Sequence, residues 1–83
     1  MIQVNYFARY RELLGSEQET LQWEPALASL RDLRERLVSR GELWAQTLGQ
    51  ANLMCARNQA LCTLDEPLCD GDDIAFFPPV TGG

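Results

Sequence analysis

The sequence predicts an α+β domain in which one mixed sheet is covered on one face by one main helix. A length of 83 residues allows a single domain, 1–83. One long amphipathic stretch, Ala26–Arg40, has the period of a helix, and five short stretches have the apolar pattern of strands. Each apolar face needs a partner, so the helix is expected to pack on the sheet.

The first part of the chain predicts an antiparallel hairpin. Met1–Phe7 alternates apolar and polar residues and predicts the first strand. Arg9–Leu14 predicts one helical turn at most, closed by Gly15. Glu19–Trp23 predicts the second strand, and the short connection favours pairing of the two strands.

The stretch Ala26–Arg40 is the clearest element, because its leucines recur at helical spacing and form one apolar stripe. Gly41 predicts the C-terminal stop of this helix. Pro25 marks the start, with no capping side chain beside it. The next segment, Glu42–Gln50, is ambiguous, since it either extends the helix or forms a second short turn.

Three more strands are predicted in the second half. Leu53–Asn58 and Leu61–Leu64 are joined through a turn at Asn58–Gln59, and Ile74–Phe77 is the last strand. The acidic loop Asp65–Asp73 lacks the spacing of a calcium-binding EF-hand, which we reject. The resulting order of β, β, α, β, β, β is the layout of a β-grasp domain.

Charge and composition exclude several classes of function. The chain has twelve acidic residues, seven arginines, no lysine and no histidine, for a net charge of −5. A nucleic-acid binder needs a basic footprint, and an acidic membrane surface would repel this chain. The sequence shows neither an apolar run that could span a bilayer nor a signal peptide. We therefore expect a cytoplasmic protein with no nucleic-acid or membrane partner.

The three cysteines form no recognisable framework. Cys55, Cys62 and Cys69 are odd in number, contain no C-x-x-C pair and are spaced by seven and seven residues. Along one strand, this spacing places neighbours on opposite faces, so we expect no convergence on a metal. We predict small, mostly buried apolar residues in a reducing compartment.

The end of the chain carries the chemistry. Two prolines stop strand pairing and favour an extended tail over residues 78–83. Gly82 and Gly83 are flexible and have no side chains, so a narrow enzyme channel can admit them. The α-carboxylate of Gly83 is ionised at neutral pH and is available to attack a nucleotide phosphate.

The residues of this tail resemble a known family. The ending Phe76–Gly83 is similar to that of the small, sulfur-carrier subunits of molybdopterin synthases. So are Arg11–Leu13, Asn58–Gln59, Pro67–Leu68 and Asp70–Asp72. The resemblance covers the whole chain in element order and implies a ubiquitin-like β-grasp fold with a flexible C-terminal Gly-Gly tail.

The resemblance also implies a sulfur carrier that is not catalytic by itself. A ubiquitin-activating-like adenylyltransferase would use ATP to convert the Gly83 carboxylate into an acyl-adenylate, and sulfur would then displace AMP to leave a thiocarboxylate. The charged carrier would dock on the large synthase subunit, in a heterotetramer of two small and two large subunits. There it would donate sulfur to cyclic pyranopterin monophosphate to form the molybdopterin dithiolene. The chain itself would bind no cofactor and no metal.

The predicted partner-binding surface lies next to the tail. Phe7 ends the first predicted strand and Phe77 ends the last, each on the side of its strand opposite to the predicted core, where aromatic side chains serve as contact anchors. The resemblance adds the remaining contacts, and it makes Gly82 and Gly83 the reacting end. The predicted partner-binding residues are Phe7, Arg11, Leu61, Phe77, Pro78, Pro79, Val80 and Thr81.

Three other functions stay open at this point. A sulfur carrier for thiamine thiazole synthesis would share the fold and the Gly-Gly ending. A ubiquitin-like modifier would share the activation step but would use an amine as acceptor, and a plain β-grasp interaction module would tolerate loss of the tail. The acidic loop Asp65–Asp73 either steers the domain towards basic partner surfaces or is a solvated turn.

Overall fold

A computed structural model describes residues 1–79 and confirms the predicted α+β class. Eight elements follow one another within these residues. The strands are β1 (Ile2–Tyr6), β2 (Gln18–Leu21), β3 (Met54–Arg57), β4 (Ala60–Cys62) and β5 (Asp73–Phe77). The helices are α1 (Ala8–Leu14), α2 (Leu30–Val38) and α3 (Glu42–Leu48).

The five strands form one mixed sheet in the order β2-β1-β5-β3-β4. The pairs β1–β2 and β3–β4 are antiparallel; helix α1 lies in the connection between β1 and β2, and a two-residue turn joins β3 to β4. Strand β5 pairs parallel with β1 and antiparallel with β3. The last strand is therefore the central strand, and the chain leaves the sheet from its middle.

Alternation along the neighbouring inner strands β1 and β5 sets the core face. Ile2, Val4 and Tyr6 are fully buried, and so are Ile74 and Phe76, as their spacing predicts. The leucine stripe of α2 packs in the same cluster of buried side chains. The other buried apolar residues are Tyr10, Leu27, Leu30, Leu33, Leu37, Leu48, Leu53, Cys55 and Leu68.

The main helix begins later than predicted. It spans Leu30–Val38 instead of Ala26–Arg40, because Ser29 is its N-cap. The Ser29 hydroxyl accepts a hydrogen bond from the Asp32 amide at 3.3 Å, and the Asp32 carboxylate accepts one from the Ser29 amide at 3.1 Å. This capping box overturns the expectation that no side chain caps the helix. Leu27 continues the apolar stripe and is buried, but it lies in the loop that precedes the N-cap.

The two short helices are more regular than predicted. Helix α1 has seven residues, about two turns, instead of one turn at most. Gly15 ends it in the left-handed conformation with φ 66°. Helix α3 occupies the ambiguous segment after α2 and buries two of its residues. Helix α2 ends at Val38 with Ser39 as its C-cap, so Gly41 is not its stop but the N-cap of α3.

The turn at Asn58–Gln59 is confirmed, and it sets the register of β3 and β4. Both turn residues have positive φ, 51° and 70°, as tight two-residue hairpins require. Arg57 therefore opposes Ala60, and each further step along both strands adds another pair. The fourth strand begins at Ala60, one residue earlier than predicted, because it starts directly after the turn.

This register brings two cysteines together, contrary to the expectation from their spacing. Cys55 opposes Cys62, and their Sγ atoms are 4.0 Å apart. The expectation counted seven residues along one strand, whereas the turn folds that distance back on itself. Burial also differs from the expectation, because Cys55 is buried, Cys62 is half-buried and Cys69 is exposed.

A polar cluster joins the residues after α2 to the sheet. The Tyr6 hydroxyl donates to Glu19 at 2.7 Å, and Arg40 donates to both oxygens of the same carboxylate at 2.8 and 2.7 Å. The Arg40 guanidinium also lies 4.7 Å from the centre of the Trp44 ring. Burial raises the pKa of Tyr6, and its hydrogen bond to Glu19 adds to the effect. Burial opposes ionisation of Glu19, but hydrogen bonds from Arg40 and Tyr6 outweigh it and lower the pKa of Glu19.

Candidate functional site

The candidate site begins where the chain leaves the sheet. Strand β5 ends at Phe77, and Pro78 and Pro79 follow it, both half-buried. Proline has no N–H to continue a ladder, so pairing ends there. The prolines share a cleft of about 380 Å³ with Ala8, Arg9, Gln50 and Asn52. The predicted site residues Val80, Thr81, Gly82 and Gly83 lie outside the described residues.

The two outward aromatic residues are neighbours beside this exit. Tyr6 and Phe76 are paired in the parallel ladder of β1 and β5, and Phe7 and Phe77 directly follow these two residues in sequence. The Phe7 amide donates to the Phe76 carbonyl at 3.2 Å, which keeps the two segments together at that point. Phe7 is 48% exposed and Phe77 is half-buried, so both lie away from the core.

The apolar surface continues from Phe77 across the sheet to its edge. Phe77 opposes Met54 on β3, and two residues further along β3, Ala56 opposes Leu61 on β4. Residues that oppose each other in a sheet project from the same face. We call Phe7, Met54, Ala56, Leu61 and Phe77 the apolar patch.

Leu61 is the most exposed residue of the apolar patch, with 67% of the residue accessible to solvent. Large apolar side chains that are exposed together mark interaction surfaces. Sequence reasoning found Phe7, Leu61 and Phe77 but missed Met54. The feature that indicates an outward side chain at Met54 is its position next to the buried Cys55, since successive residues of a strand face opposite sides.

The backbone directly after Phe7 is strained. Ala8 has φ 53°, in the left-handed region that residues with a side chain rarely adopt. This conformation costs about 1–2 kcal/mol for a residue other than glycine. Phe7 keeps an extended conformation as the N-cap of α1, so the bend at Ala8 starts the helix while Phe7 remains beside Phe77.

Arg11 is not joined to the apolar patch by the strand register. It lies on α1, and its guanidinium is 4.0 Å from the carboxylate of Glu17. Its carbonyl accepts the hydrogen bond from Gly15 that closes the helix. Its role as a partner-binding residue stays a prediction.

The carboxylates of the acidic loop between β4 and β5 have partners elsewhere in the fold. Asp72 is buried and accepts hydrogen bonds from the Cys69 amide at 2.7 Å, from Arg57 at 2.8 Å and from Asn58 at 3.0 Å. Burial opposes ionisation of Asp72, but these hydrogen bonds outweigh it and lower the pKa of its carboxyl. The other carboxylates pair as Asp65 with Arg31, Glu66 with Arg57, Asp70 with the N-terminal amine, and Asp73 with Asn5. Asp72 therefore stabilises the loop, whereas Asp65 and Asp70 are exposed, and the role of the loop in steering stays a prediction.

The described part of the chain offers neither a metal centre nor a membrane span. Within residues 1–79, no three cysteine, aspartate or glutamate side chains are grouped so as to hold a metal ion. In the same range, no helix is long and apolar enough to cross a membrane. Helix α2 has nine residues, whereas a spanning helix needs about twenty.

Comparison with known proteins identifies the family. The ThiS family matches residues 4–83, nearly the whole chain. The chain belongs to the ThiS family. This assignment confirms the kinship inferred from the tail and from the order of the elements.

Two curated relatives match this ThiS-family chain over 83 residues, with all of each chain covered. They are the molybdopterin synthase sulfur carrier subunits of Escherichia coli (strain K12), at 41% identity, and of Haemophilus influenzae, at 43%. A solved protein–protein complex of subunits 1 and 2 of molybdopterin-converting factor from Helicobacter pylori 26695 contains a similar chain. The TM-score is 0.67 at 30% identity, and the alignment covers 99% of this chain and 97% of that one. The ubiquitin-like β-grasp fold is thereby confirmed.

The candidate site of this ThiS-family chain therefore has two parts. The exit at Pro78 and Pro79 directs the chain away from the central strand, and the apolar patch extends from that exit to Leu61 at the edge of the sheet. The patch offers exposed apolar area for binding.

Proposed function

We propose that this chain is the sulfur carrier of a molybdopterin synthase. The observation that carries the proposal is identity of 41% and 43%, from end to end, with two proteins of that name. The fold is consistent with it, because the chain leaves the central strand next to an exposed apolar patch.

The reaction proposed for the terminus has two steps on the Gly83 carboxyl group. First, a carboxylate oxygen attacks the α-phosphorus of ATP, and pyrophosphate leaves. Then a nucleophile that supplies sulfur at the oxidation level of sulfide attacks the acyl carbon, the bond to the AMP oxygen breaks, and a thiocarboxylate remains. Each thiocarboxylate donates one sulfur to cyclic pyranopterin monophosphate and returns to the carboxylate, so two deliveries build the molybdopterin dithiolene.

The proposal divides the work between this chain and its partners. The chain supplies the acyl group and the docking surface, and it is not catalytic alone. A ubiquitin-activating-like adenylyltransferase binds the ATP, and the large synthase subunit supplies the catalytic groups. We place the chain in the cytoplasm, in a heterotetramer of two small and two large subunits, and without a cofactor of its own.

The docking surface proposed for the large subunit is the apolar patch together with the chain at Pro78 and Pro79. Aromatic and apolar anchors that exclude water dominate binding at protein interfaces. The solved complex of subunits 1 and 2 from Helicobacter pylori, whose matching chain has the same fold, supports a partner of this kind.

The test is a reconstitution with defined components. The purified chain is incubated with ATP, the adenylyltransferase and a sulfur source, and its intact mass is measured. The expected product gains the difference between one sulfur and one oxygen atom, located at Gly83. Addition of the large subunit and cyclic pyranopterin monophosphate should then yield the dithiolene.

The same reconstitution separates the alternatives. Thiocarboxylate without dithiolene in the presence of the large subunit would overturn the molybdopterin assignment and favour the thiamine thiazole carrier. Covalent conjugates heavier than 9.4 kDa would favour a protein modifier. If the mass does not change, the remaining alternative is a β-grasp interaction module.

A further inference from the structure

The cross-strand cysteines have the geometry of a dithiol that can close. Directly opposed residues of an antiparallel pair have Cα atoms about 4.5–5.5 Å apart. A disulfide needs a Cα separation of about 4.4–6.8 Å, so this backbone suits the bond without rearrangement. The Sγ atoms of Cys55 and Cys62 are already 4.0 Å apart, and the Cys55 thiol points at the Cys62 carbonyl at 3.5 Å.

The two thiols differ in their access to solvent. Both cysteines line an open cleft of about 550 Å³ between the end of the β3–β4 hairpin and Arg31, and Cys62 is the half-buried one of the two. Cys55 is buried, and burial together with the neighbouring Cys62 sulfur raises the pKa of its thiol. Of this pair, Cys62 is therefore the thiol that meets a reagent first, because it is the more exposed.

We propose that Cys55 and Cys62 form a redox-active dithiol, which a hydroperoxide oxidises to an intramolecular disulfide. This site is independent of the sulfur-carrier function, because it involves neither the tail nor its carboxylate. It adds a modification site on the hairpin whose edge strand carries Leu61.

The oxidation proceeds in two balanced steps. The Cys62 thiolate attacks one oxygen of hydrogen peroxide, and the O–O bond breaks. Hydroxide departs, and Cys62 becomes a sulfenic acid. The Cys55 sulfur then attacks the Cys62 sulfur, and the S–O bond breaks. The hydroxyl group leaves with the Cys55 proton as water. Two thiols are oxidised and one hydroperoxide is reduced.

The sequence provides its own matched control. Cys62 is seven residues from Cys55 and also seven residues from Cys69. In an unfolded chain, a disulfide from Cys62 to Cys55 and one from Cys62 to Cys69 therefore close loops of the same length. Neither disulfide is strongly preferred there. Only the folded hairpin favours closure with Cys55, and exposure alone would instead favour reaction at Cys69.

The experiment treats the reduced full-length chain with one equivalent of hydrogen peroxide, in buffer and in concentrated urea. Free thiols are then alkylated, and linkages are mapped by mass spectrometry. In buffer we expect a monomer that has lost two hydrogen atoms, with Cys69 as the remaining thiol. The 55–62 linkage should exceed the 62–69 linkage about tenfold or more, because the fold holds the first pair in place. In urea the two linkages should form in similar amounts.

Variants provide the controls. Cys69→Ser should form the same disulfide, and Cys62→Ser should lose it and form no monomer lighter by two hydrogen atoms. The proposal is overturned if the folded chain gives mainly the 62–69 linkage or dimers through Cys69. It is also overturned if Cys62 is oxidised to sulfinic acid while Cys55 stays a free thiol.

Discussion

At the scale of single residues, Leu61 and Leu43 have similar exposure but different surroundings. Both are leucines with about half or more of the residue accessible, at 67% and 48%. Leu61 belongs to the apolar patch, whereas Leu43 lies on α3, outside it. If docking depends on the patch and not on exposed apolar area in general, the two side chains contribute unequally to binding.

We therefore predict that Leu61→Ala weakens binding to the large synthase subunit by about 1–3 kcal/mol, the range of an interface anchor. Leu43→Ala is the matched control and should leave the dissociation constant unchanged. Isothermal titration calorimetry measures both, and the melting temperatures show that both variants fold. Equal losses of affinity in the two variants would contradict the assignment of the patch.

The lowered pKa of the Asp72 carboxyl predicts how the stability of the fold depends on pH. Its carboxyl pKa is lowered in the folded state, so folding favours the ionised form. The stabilisation is complete above the pKa of the unfolded carboxyl, about 3.9, and is lost as the pH falls through the lower folded pKa. The free energy of unfolding should therefore fall with decreasing pH below about 4, and Glu19 contributes in the same direction.

Urea denaturation at a series of pH values measures this slope. Asp72→Asn should flatten it, whatever the variant does to stability at neutral pH. Asp65→Asn is the control, because Asp65 is largely exposed in a pair with Arg31, and exposed pairs contribute little. A slope that Asp72→Asn leaves unchanged would show that other carboxyl groups govern acid unfolding.

At the scale of elements, the capping box of α2 decides where the main helix begins. Ser29 bonds the amide of Asp32, and Asp32 bonds the amide of Ser29 in return. The amides of Leu30 and Arg31 donate to the carbonyls of Glu66 and Leu64, at 3.1 and 2.9 Å. The first turn of the helix is thus satisfied by its own cap and by the acidic loop.

Ser29→Ala tests this boundary through the sign of its effect. Loss of an N-cap costs about 1 kcal/mol, which lowers the melting temperature of a domain of this size by about 4–8 °C. Were the helix to begin at Ala26, the same change would place alanine inside it and stabilise it. Thermal denaturation followed by circular dichroism measures the effect, with Ser16→Ala as the control. A higher melting temperature for Ser29→Ala would contradict the capping box.

The elements show which features the sequence could predict. Alternation predicted the buried face of β1 and β5, because those strands follow a strict period of two. Helical periodicity could not locate the start of α2, since Leu27 continues the stripe from outside the helix. The start of α2 is determined by a local signal, a serine followed three residues later by an aspartate. This signal outweighs the helical periodicity.

The cysteine pair was predictable in principle from the turn alone. A two-residue turn at Asn58–Gln59 obliges the residues three before its first member and three after its second to face each other, and these are Cys55 and Cys62. In the same way, the turn places Ala56 opposite Leu61. Membership of Met54 in the apolar patch also required the pairing of β3 with β5, which is long-range and has no local signal.

At the scale of the whole molecule, binding and chemistry are assigned to different parts of the chain. The apolar patch lies on strands that contribute to the core on their other face, whereas the reacting carboxylate is proposed at Gly83, beyond the last strand. Changes at the terminus should therefore affect the reaction without affecting the fold.

Deletion of Gly83 should abolish thiocarboxylate formation, because the new terminal carboxylate falls short of the reacting position, and small misplacements cost large factors in rate. The melting temperature should equal that of the full chain. The intact mass after incubation with ATP, adenylyltransferase and sulfur source is the measurement, with the full chain as control. Dithiolene formation at a normal rate by the shortened chain would refute the carrier function.

The central position of β5 also determines how the domain withstands mechanical tension. A pull on the chain beyond Pro79 acts along a strand that is hydrogen-bonded on both sides, to β1 and to β3. Such a force shears two ladders at once, whereas a pull on an edge strand peels one ladder bond by bond. Core strands are also the last to open, at the free energy of global unfolding. A partner that draws the tail into a narrow channel therefore pulls on the most firmly anchored strand of the sheet.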